Sequence, residues 1–224
     1  RAHCPENTLV AFERALADGA DGVELDVRMS ADGALIIAHD DRIMTQDGTA
    51  ELHRLSSAQI QALRTKSGEP VVSLRQVLEF QARTGAYVNI ELKGDVPAPS
   101  WMAQRAAHLI GQHGGQGIVL SSFDVRQVRA LARALPHVPV ALLFEQSQTV
   151  MSKLVPTALL GAVAVHPQAS LLDAAFMATL RKKVPLINTW TVNSPAEALR
   201  LSALGVDAII TDDPKLILSV LHSP

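Results

Sequence analysis

The chain has 224 residues, of which 48% are hydrophobic and 19% are charged, and its formal net charge is −2. The length fits one large domain or two small ones, and the composition is typical of a globular protein with a substantial core. The near-neutral charge argues against a general nucleic-acid binder, the single cysteine (Cys4) excludes an intrachain disulfide, and no apolar run reaches the roughly 18 residues of a membrane span.

Short strand-like runs alternate along the chain with longer segments of helical period. The strand-like runs are residues 22–27, 34–39, 87–92, 117–122, 140–144, 162–167, 186–192 and 207–211. The helical segments are residues 8–19, 74–85, 101–114, 125–136, 171–183 and 195–205. This alternation predicts βαβ units and a parallel sheet, which right-handed crossovers build into an open doubly wound sheet or a (β/α)₈ barrel.

The polar residues of the strand ends favour the barrel. An open nucleotide-binding sheet usually carries a glycine-rich loop after its first strand, and this sequence has none. A barrel mouth instead collects polar side chains from many strand ends. We therefore expect one barrel domain over residues 1–224, in which residues 41–72 could form a small excursion on the rim. The strand-end residues are Glu24, Asp26, Glu91, Lys93, Ser121, Ser122, His166, Trp190, Thr191, Thr211 and Asp212.

One strand-like run is not a barrel strand. Residues 34–39 follow the first run after the short segment SADG, so the two are predicted to form a hairpin that turns at Asp32-Gly33. Seven parallel strands then remain, one fewer than a (β/α)₈ barrel needs. Because the helical segment near Thr8 has no strand before it, we expect the first strand upstream of Arg1.

Acidic side chains on two strands form a candidate metal site. Glu24 and Asp26 share one face of their strand, and Glu91 and Lys93 share one face of theirs, because strand side chains alternate. Three carboxylates converging at one mouth would bind a hard divalent cation such as Mg²⁺ or Ca²⁺. The alternative is a salt-bridged core in which Lys93 alone compensates the carboxylates, and the residues by themselves leave both interpretations open.

Two histidines lie at strand ends. With Asp32-Gly33 as a two-residue turn, His39 is expected opposite Asp26, where a carboxylate would raise the pKa of the imidazole and suit it to general acid or base catalysis. His166 ends the run at residues 162–167, so it could serve at the mouth. For each histidine the alternative is a structural hydrogen-bonding role.

Several motifs together resemble the glycerophosphodiester phosphodiesterases, which have a phosphatidylinositol-phospholipase-C-like TIM barrel. The motifs are PENTLVAF (5–12), GADGVELDVRMSADGALIIAHDD (19–41), NIELK (89–93), SSFD (121–124), WTVN (190–193) and GVDAIITDDP (205–214). They cover nearly the whole chain and keep the order found in the family. The resemblance implies hydrolysis of glycerophosphodiesters to sn-glycerol 3-phosphate and an alcohol.

The resemblance also implies the parts of the active site. The family uses a divalent metal, here Mg²⁺ or Ca²⁺, and two histidines as general acid and base. In the mechanism it implies, the glycerol 2-hydroxyl attacks the phosphorus and water then opens the cyclic phosphate. The matching positions are Glu24, Asp26 and Glu91 for the metal, Lys93, Glu6 and Trp190 for the phosphate and substrate, and His39 for one histidine.

The other catalytic histidine is where the sequence departs from the family pattern. In the family it belongs to an HRG motif that lies several positions before the proline of PENT. Only four residues precede Pro5 here, so we expect that motif upstream of Arg1. His3 is the alternative, but Cys4 follows it instead of the Arg-Gly pair, which favours a loop position for His3.

Other functions and locations stay open at this point. A related lipid phosphodiesterase of the lysophospholipase D or sphingomyelinase D type would need apolar access, against which the 4% aromatic content counts. A barrel that has lost catalysis could act as a binding module. We expect a small-molecule glycerophosphodiester as the partner, with no nucleic acid and no stable membrane insertion, and a cytoplasmic location, or a periplasmic or secreted one if a signal peptide precedes Arg1. The oligomeric state is left open.

Overall fold

The computed structural model describes residues 2–146 and 160–221, which hold ten strands and eight α-helices. The strands are β1 (Gly22–Met29), β2 (Leu35–Ile37), β3 (Arg42–Thr45), β4 (Gly48–Glu51), β5 (Tyr87–Leu92), β6 (Ile118–Ser122), β7 (Val140–Phe144), β8 (Ala164–Pro167), β9 (Leu186–Thr189) and β10 (Ala208–Ile209). The helices are α1 (Leu9–Ala17), α2 (Ser57–Ala62), α3 (Leu74–Thr84), α4 (Pro99–His113), α5 (Val125–Ala134), α6 (Ala174–Arg181), α7 (Pro195–Ala203) and α8 (Pro214–Leu221).

The main sheet is a curled sheet of eight strands in the order β10-β9-β8-β7-β6-β5-β1-β2. Every neighbouring pair from β1 through β10 is parallel, and only the β1–β2 pair is antiparallel. The α/β class and the TIM-type barrel order are therefore confirmed, as is the count of seven parallel strands. Within residues 2–146 and 160–221 no strand joins β10 to β1. The position of an eighth parallel strand stays a prediction.

The β1–β2 hairpin differs from the prediction by one residue. Arg28 pairs with Ile36, and Ser30 N donates to Ala34 O at 2.9 Å, so the loop holds three residues instead of two. Gly33 occupies the left-handed region at φ 81°, which is the usual third position of such a loop. The shift places Ala38, whose N donates to Asp26 O at 3.0 Å, where His39 was expected. The predicted pairing of His39 with Asp26 is therefore wrong.

The hydrophobic core lies between the sheet and the helices around it. Leu25, Val27, Ile90 and Leu92 are fully buried and belong to one cluster with apolar residues of the helices. Because strand side chains alternate, this packing turns the intervening residues of β1 and β5 toward the barrel interior. In the part of the chain that the structure describes, no helix has the length and apolar character to cross a bilayer.

Residues 41–72 form a small substructure beside β2. It contains the antiparallel pair β3–β4, the 3₁₀ turn Leu52–Arg54 and helix α2. Leu52 and Ile60 are fully buried there and pack in a second cluster with Ile36 and Ala38 at the end of the hairpin. This is the segment for which the sequence predicted an excursion on the rim, and it borders the loop that carries His39.

Candidate functional site

Three carboxylates meet at the carboxyl end of the barrel. The parallel register places Asp26 of β1 beside Glu91 of β5, and Glu24 beside Asn89. One oxygen from each of Glu24, Asp26 and Glu91 lies within 4.8 Å of the others. The carboxyl ends of the strands form the mouth of a TIM-type barrel, which is where its ligands bind. The convergence expected from side-chain alternation is therefore present in the structure.

The electrostatics of the cluster disfavour three free negative charges. Glu24 is partly exposed as a residue, but its carboxyl group lies inside the barrel. Burial raises the pKa of that carboxyl well above its usual range, and the neighbouring Asp26 and Glu91 raise it further. Burial also raises the pKa of Glu91, although the Lys93 ammonium opposes this. A cation bound among the three groups would oppose both shifts, because its positive charge favours the ionised carboxylates.

Lys93 provides one positive charge in the cluster. Its Nζ lies 3.3 Å from Asp26 Oδ1 and 3.1 Å from Glu91 Oε1. Burial alone would lower the pKa of this ammonium, but Glu91 and Asp26 together raise it, so Lys93 is charged at neutral pH. One ammonium leaves the three carboxylates only partly compensated. Lys93 therefore pairs within the site without neutralising it.

The donor set fits a divalent cation. All three candidate ligands are carboxylates, the type that Mg²⁺ and Ca²⁺ prefer. Glu91 Oε1 is buried, and its polar contact among the described residues is the ion pair with Lys93 Nζ at 3.1 Å. Because that one ammonium is shared with Asp26, a bound cation would further stabilise the buried carboxylates.

Asn7 is a site residue that the sequence reasoning missed. Its Nδ2 donates to Asp26 Oδ2 at 3.1 Å, and its Oδ1 accepts from the backbone N of Asp26 at 3.2 Å. Asn7 has φ 58°, a left-handed conformation that asparagine tolerates better than most residues, and Thr8 after it caps α1. The PENT motif contains Asn7, but the family resemblance implies a role only for Glu6 within it. Glu6 lines the cavity that contains the three carboxylates, and its charge further raises the pKa of Glu24.

His39 lies on the loop after β2 and not in the ladder. Its side chain is half exposed, and its Nδ1 lies 2.9 Å from Asp40 Oδ1. It lines the same cavity as the carboxylates. It is also close enough to Glu91 to oppose part of the rise in pKa that burial causes there. The register correction therefore moves His39 away from Asp26 but leaves it at the mouth.

An aromatic pair also lines the mouth. The rings of Phe123 and Trp190 meet edge to face with centroids 5.6 Å apart. Trp190 is fixed by its indole N–H, which donates to His166 O at 2.8 Å. Both rings line the cavity of about 1350 Å³ that contains the carboxylates and His39. Phe123 of the SSFD motif therefore also faces the site.

The two remaining candidate histidines lie outside the carboxylate cluster. His166 is fully buried beneath Trp190, its Nε2 lies 2.9 Å from Asn188 Nδ2, and burial lowers its pKa to about 4. An imidazole that is neutral and enclosed in this way supports the structural alternative. His3 lies in the loop before α1 and pairs with Asp213 at 3.1 Å.

Comparisons with known proteins identify the family to which the chain is similar. Residues 1–216 match the sequence model of the glycerophosphoryl diester phosphodiesterase family. A glycerophosphodiester phosphodiesterase of Caldanaerobacter subterraneus subsp. tengcongensis is 27% identical over 227 residues, which cover 97% of this chain and 93% of that protein. One of Bacillus altitudinis is 28% identical over 229 residues, covering 96% of this chain and 91% of that protein.

A solved structure shares the fold. It is an Oleispira antarctica phosphodiesterase in complex with the product sn-glycerol-3-phosphate, and it superposes with a TM-score of 0.88. The match covers 99% of this chain and 93% of that chain at 23% identity.

Proposed function

The chain belongs to the glycerophosphoryl diester phosphodiesterase family, and from this premise we propose that it hydrolyses glycerophosphodiesters to sn-glycerol 3-phosphate and an alcohol. Members of this family are phosphoric diester hydrolases. The observation that carries the proposal is the cluster of Glu24, Asp26 and Glu91 around Lys93 at the barrel mouth. The Oleispira phosphodiesterase holds sn-glycerol-3-phosphate, which supports a small-molecule substrate of this kind.

Glu24, Asp26 and Glu91 would hold the divalent cation, which we propose is Mg²⁺ or Ca²⁺. The convergence of the three carboxylates around a single ammonium and the raised pKa values of Glu24 and Glu91 support this assignment. When bound, the cation supplies positive charge to the phosphoryl oxygens. Asn7 holds Asp26 in place through two hydrogen bonds, so that this carboxylate is oriented before any ligand arrives. Glu6 borders the same group of carboxylates and supports the metal or the substrate.

Lys93 binds the phosphate in this proposal. A phosphodiester resists hydrolysis because its negative charge repels nucleophiles, and an ammonium beside the phosphoryl oxygens reduces that repulsion. Asp26 and Glu91 hold the Lys93 ammonium from one side, and its pKa is raised, so it remains charged while substrate binds. Trp190 provides an apolar wall across the mouth that positions the organic part of the substrate.

His39 transfers a proton in this proposal. Its imidazole is half exposed at the mouth, where it can reach an exchangeable proton of the substrate. The glycerol 2-hydroxyl attacks phosphorus as one basic group takes its proton, and an acidic group protonates the departing alkoxide; water then opens the cyclic phosphate. His39 supplies one of these two functions. The partner histidine implied by the family resemblance stays an expectation.

The test is release of sn-glycerol 3-phosphate from glycerophosphocholine, measured with glycerol-3-phosphate dehydrogenase as the coupling enzyme. We expect activity in the wild type and a loss of at least about 100-fold in Glu91→Gln. Glu197→Gln is the matched control, because that carboxylate pairs with Arg200 on the surface of α7. Absence of product from the wild type, or undiminished release by Glu91→Gln, would contradict the proposal. Faster turnover of lysophosphatidylcholine would favour the lipid phosphodiesterase alternative.

A further inference from the structure

Arg28 is a buried cation on the same strand face as two of the carboxylates. Glu24, Asp26 and Arg28 alternate along β1, so all three side chains point toward the barrel mouth. The Arg28 side chain is only 4% exposed. A guanidinium closed off from water to this degree needs good acceptors. Its Nε and Nη2 have them, whereas its Nη1, at the border of the site cavity, has no hydrogen-bond partner among the described residues.

The acceptors of Arg28 lie on two different loops of the mouth. Its Nε donates to the backbone carbonyl of His39 at 2.8 Å. Its Nη2 donates to both carboxylate oxygens of Asp95, at 3.1 and 3.0 Å. Asp95 follows the phosphate-binding candidate Lys93 by two residues. Arg28 therefore ties the loop after β2 and the loop after β5 to the strand that carries Glu24 and Asp26.

The position of His39 depends on this contact. Strand β2 ends at Ile37, and the bond from Ala38 N to Asp26 O is the last backbone link of the hairpin before His39. The imidazole is half exposed, and its side-chain contact is to the adjacent residue Asp40, which is itself 74% exposed. Asp40 would move together with His39. The carbonyl bond from Arg28 is thus a direct side-chain link between residue 39 and β1, beside the backbone bond of the neighbouring Ala38.

We propose that Arg28 is a positioning residue for His39. It acts through the His39 carbonyl, and it sets the distance between the imidazole and the carboxylates without touching substrate. This inference rests on the proposed function, in which His39 transfers a proton. A charge-assisted hydrogen bond to a carbonyl is stronger than a neutral one, and arginine can hold two loops at once because its donors are spread over a rigid plane.

A double-mutant cycle tests the inference. Arg28→Lys keeps the charge but cannot reach both loops, so we expect kcat for glycerophosphocholine to fall about 10-fold with KM within about twofold. In a His39→Ala background the same change should lower kcat by less than about twofold, because nothing remains to be positioned. Asp95→Asn, at an exposed residue that leaves the fold intact, should give a smaller decrease with the same dependence on His39.

The control has the same chemistry at the other end of the barrel. Arg181 donates to Pro185 O at 2.7 Å, just before β9, and pairs with Asp207 at 2.7 Å, just before β10. Arg181→Met should lower the melting temperature and leave kcat within about twofold of wild type. Arg28→Lys should reduce kcat even at temperatures far below its own melting temperature. This difference separates positioning of His39 from a general loss of stability.

Two outcomes would overturn the inference. One is a decrease in kcat by Arg28→Lys that is equally large with and without His39. The other is an NMR result that does not depend on enzyme activity. We expect the imidazole ¹H–¹³C resonance of His39, assigned by its loss in His39→Ala, to shift or broaden in Arg28→Lys while that of His166 stays in place. An unchanged His39 resonance excludes positioning whatever the substrate is. Failure of the proposed function would instead be seen as a wild type that releases no sn-glycerol 3-phosphate.

Discussion

His166 makes the stability of this protein depend on pH between about 4 and 6.5. The residue is fully buried, and burial lowers its pKa from 6.5 to about 4. In the unfolded chain His166 takes up a proton near pH 6.5, whereas in the folded chain it does so only near pH 4. The unfolded state therefore binds more protons in this range, and the free energy of unfolding decreases as the pH falls.

The size of the effect follows from the two pKa values. Between pH 7 and pH 5 the linkage relation gives a loss of roughly 2 kcal/mol from His166 alone. His166→Gln removes the titrating group and keeps an oxygen that can accept a hydrogen bond from Asn188 Nδ2, where the imidazole Nε2 lies at 2.9 Å. Contributions from the carboxylates are common to both proteins and cancel when the two are compared.

The assay is urea unfolding followed by circular dichroism at pH 7 and at pH 5, on wild type and His166→Gln. We expect the wild type to lose about 2 kcal/mol more than the variant over this interval. The variant should be less stable than wild type at pH 7, since it alters a packed interior. Equal pH dependence of the two proteins, within about 0.5 kcal/mol, would refute the reasoning that His166 is neutral in the folded state.

Three further predictions concern the carboxylate cluster. EDTA should abolish release of sn-glycerol 3-phosphate, and added Mg²⁺ or Ca²⁺ should restore it. Undiminished turnover in EDTA would refute the proposed metal requirement. Glu24→Gln should raise the melting temperature of the metal-free protein, because burial opposes the Glu24 charge. It should also abolish the increase in melting temperature that the cation causes in the wild type. A metal-free melting temperature below that of the wild type would contradict this. Asn7→Ala should weaken cation binding at least about 10-fold by calorimetry, because Asp26 loses its orienting partner; unchanged affinity would count against that role.

The parallel sheet could be predicted from the sequence because its signals are local. Runs such as GVELDV and YVNIEL carry strand preference in a few adjacent residues, and the amphipathic segments between them carry helical period. The short SADG connection was enough to set aside one run as a hairpin strand, and the remaining count of seven parallel strands agrees with the structure. Each of these inferences needs only neighbouring residues.

The register of that hairpin could not be predicted in the same way. Its loop is held by Asp32, which accepts hydrogen bonds from Ser30 Oγ at 2.5 Å and from the backbone N of Ser57 at 2.9 Å. Ser57 begins α2, which lies 25 residues further along the chain. Gly33 also packs so closely on Trp101 that a Cβ there would lie 2.4 Å from the ring. Contacts from distant segments therefore select the three-residue loop, and no local pattern contains them.

The carboxylates of the site could be predicted because two simple rules place them. Alternation puts Glu24 and Asp26 on one strand face, and parallel pairing brings Glu91 alongside Asp26. The residues that orient these groups follow no such rule. Asn7 reaches Asp26 from the loop before α1, and Arg28 reaches the His39 carbonyl across the hairpin.

The contacts of Asn7 with Asp26 and of Arg28 with the His39 carbonyl imply two different roles along β1. The strand fixes the carboxylates with backbone hydrogen bonds to β5, whereas the flanking loops have few backbone links to the sheet. Asn7 and Arg28 connect those loops to the strand through side chains, one on the loop and one on the strand itself. In the proposed roles Asn7 orients the cation ligand Asp26 and Arg28 positions His39. Asn7→Ala should therefore act on cation affinity and Arg28→Lys on turnover, and the two effects should be separable.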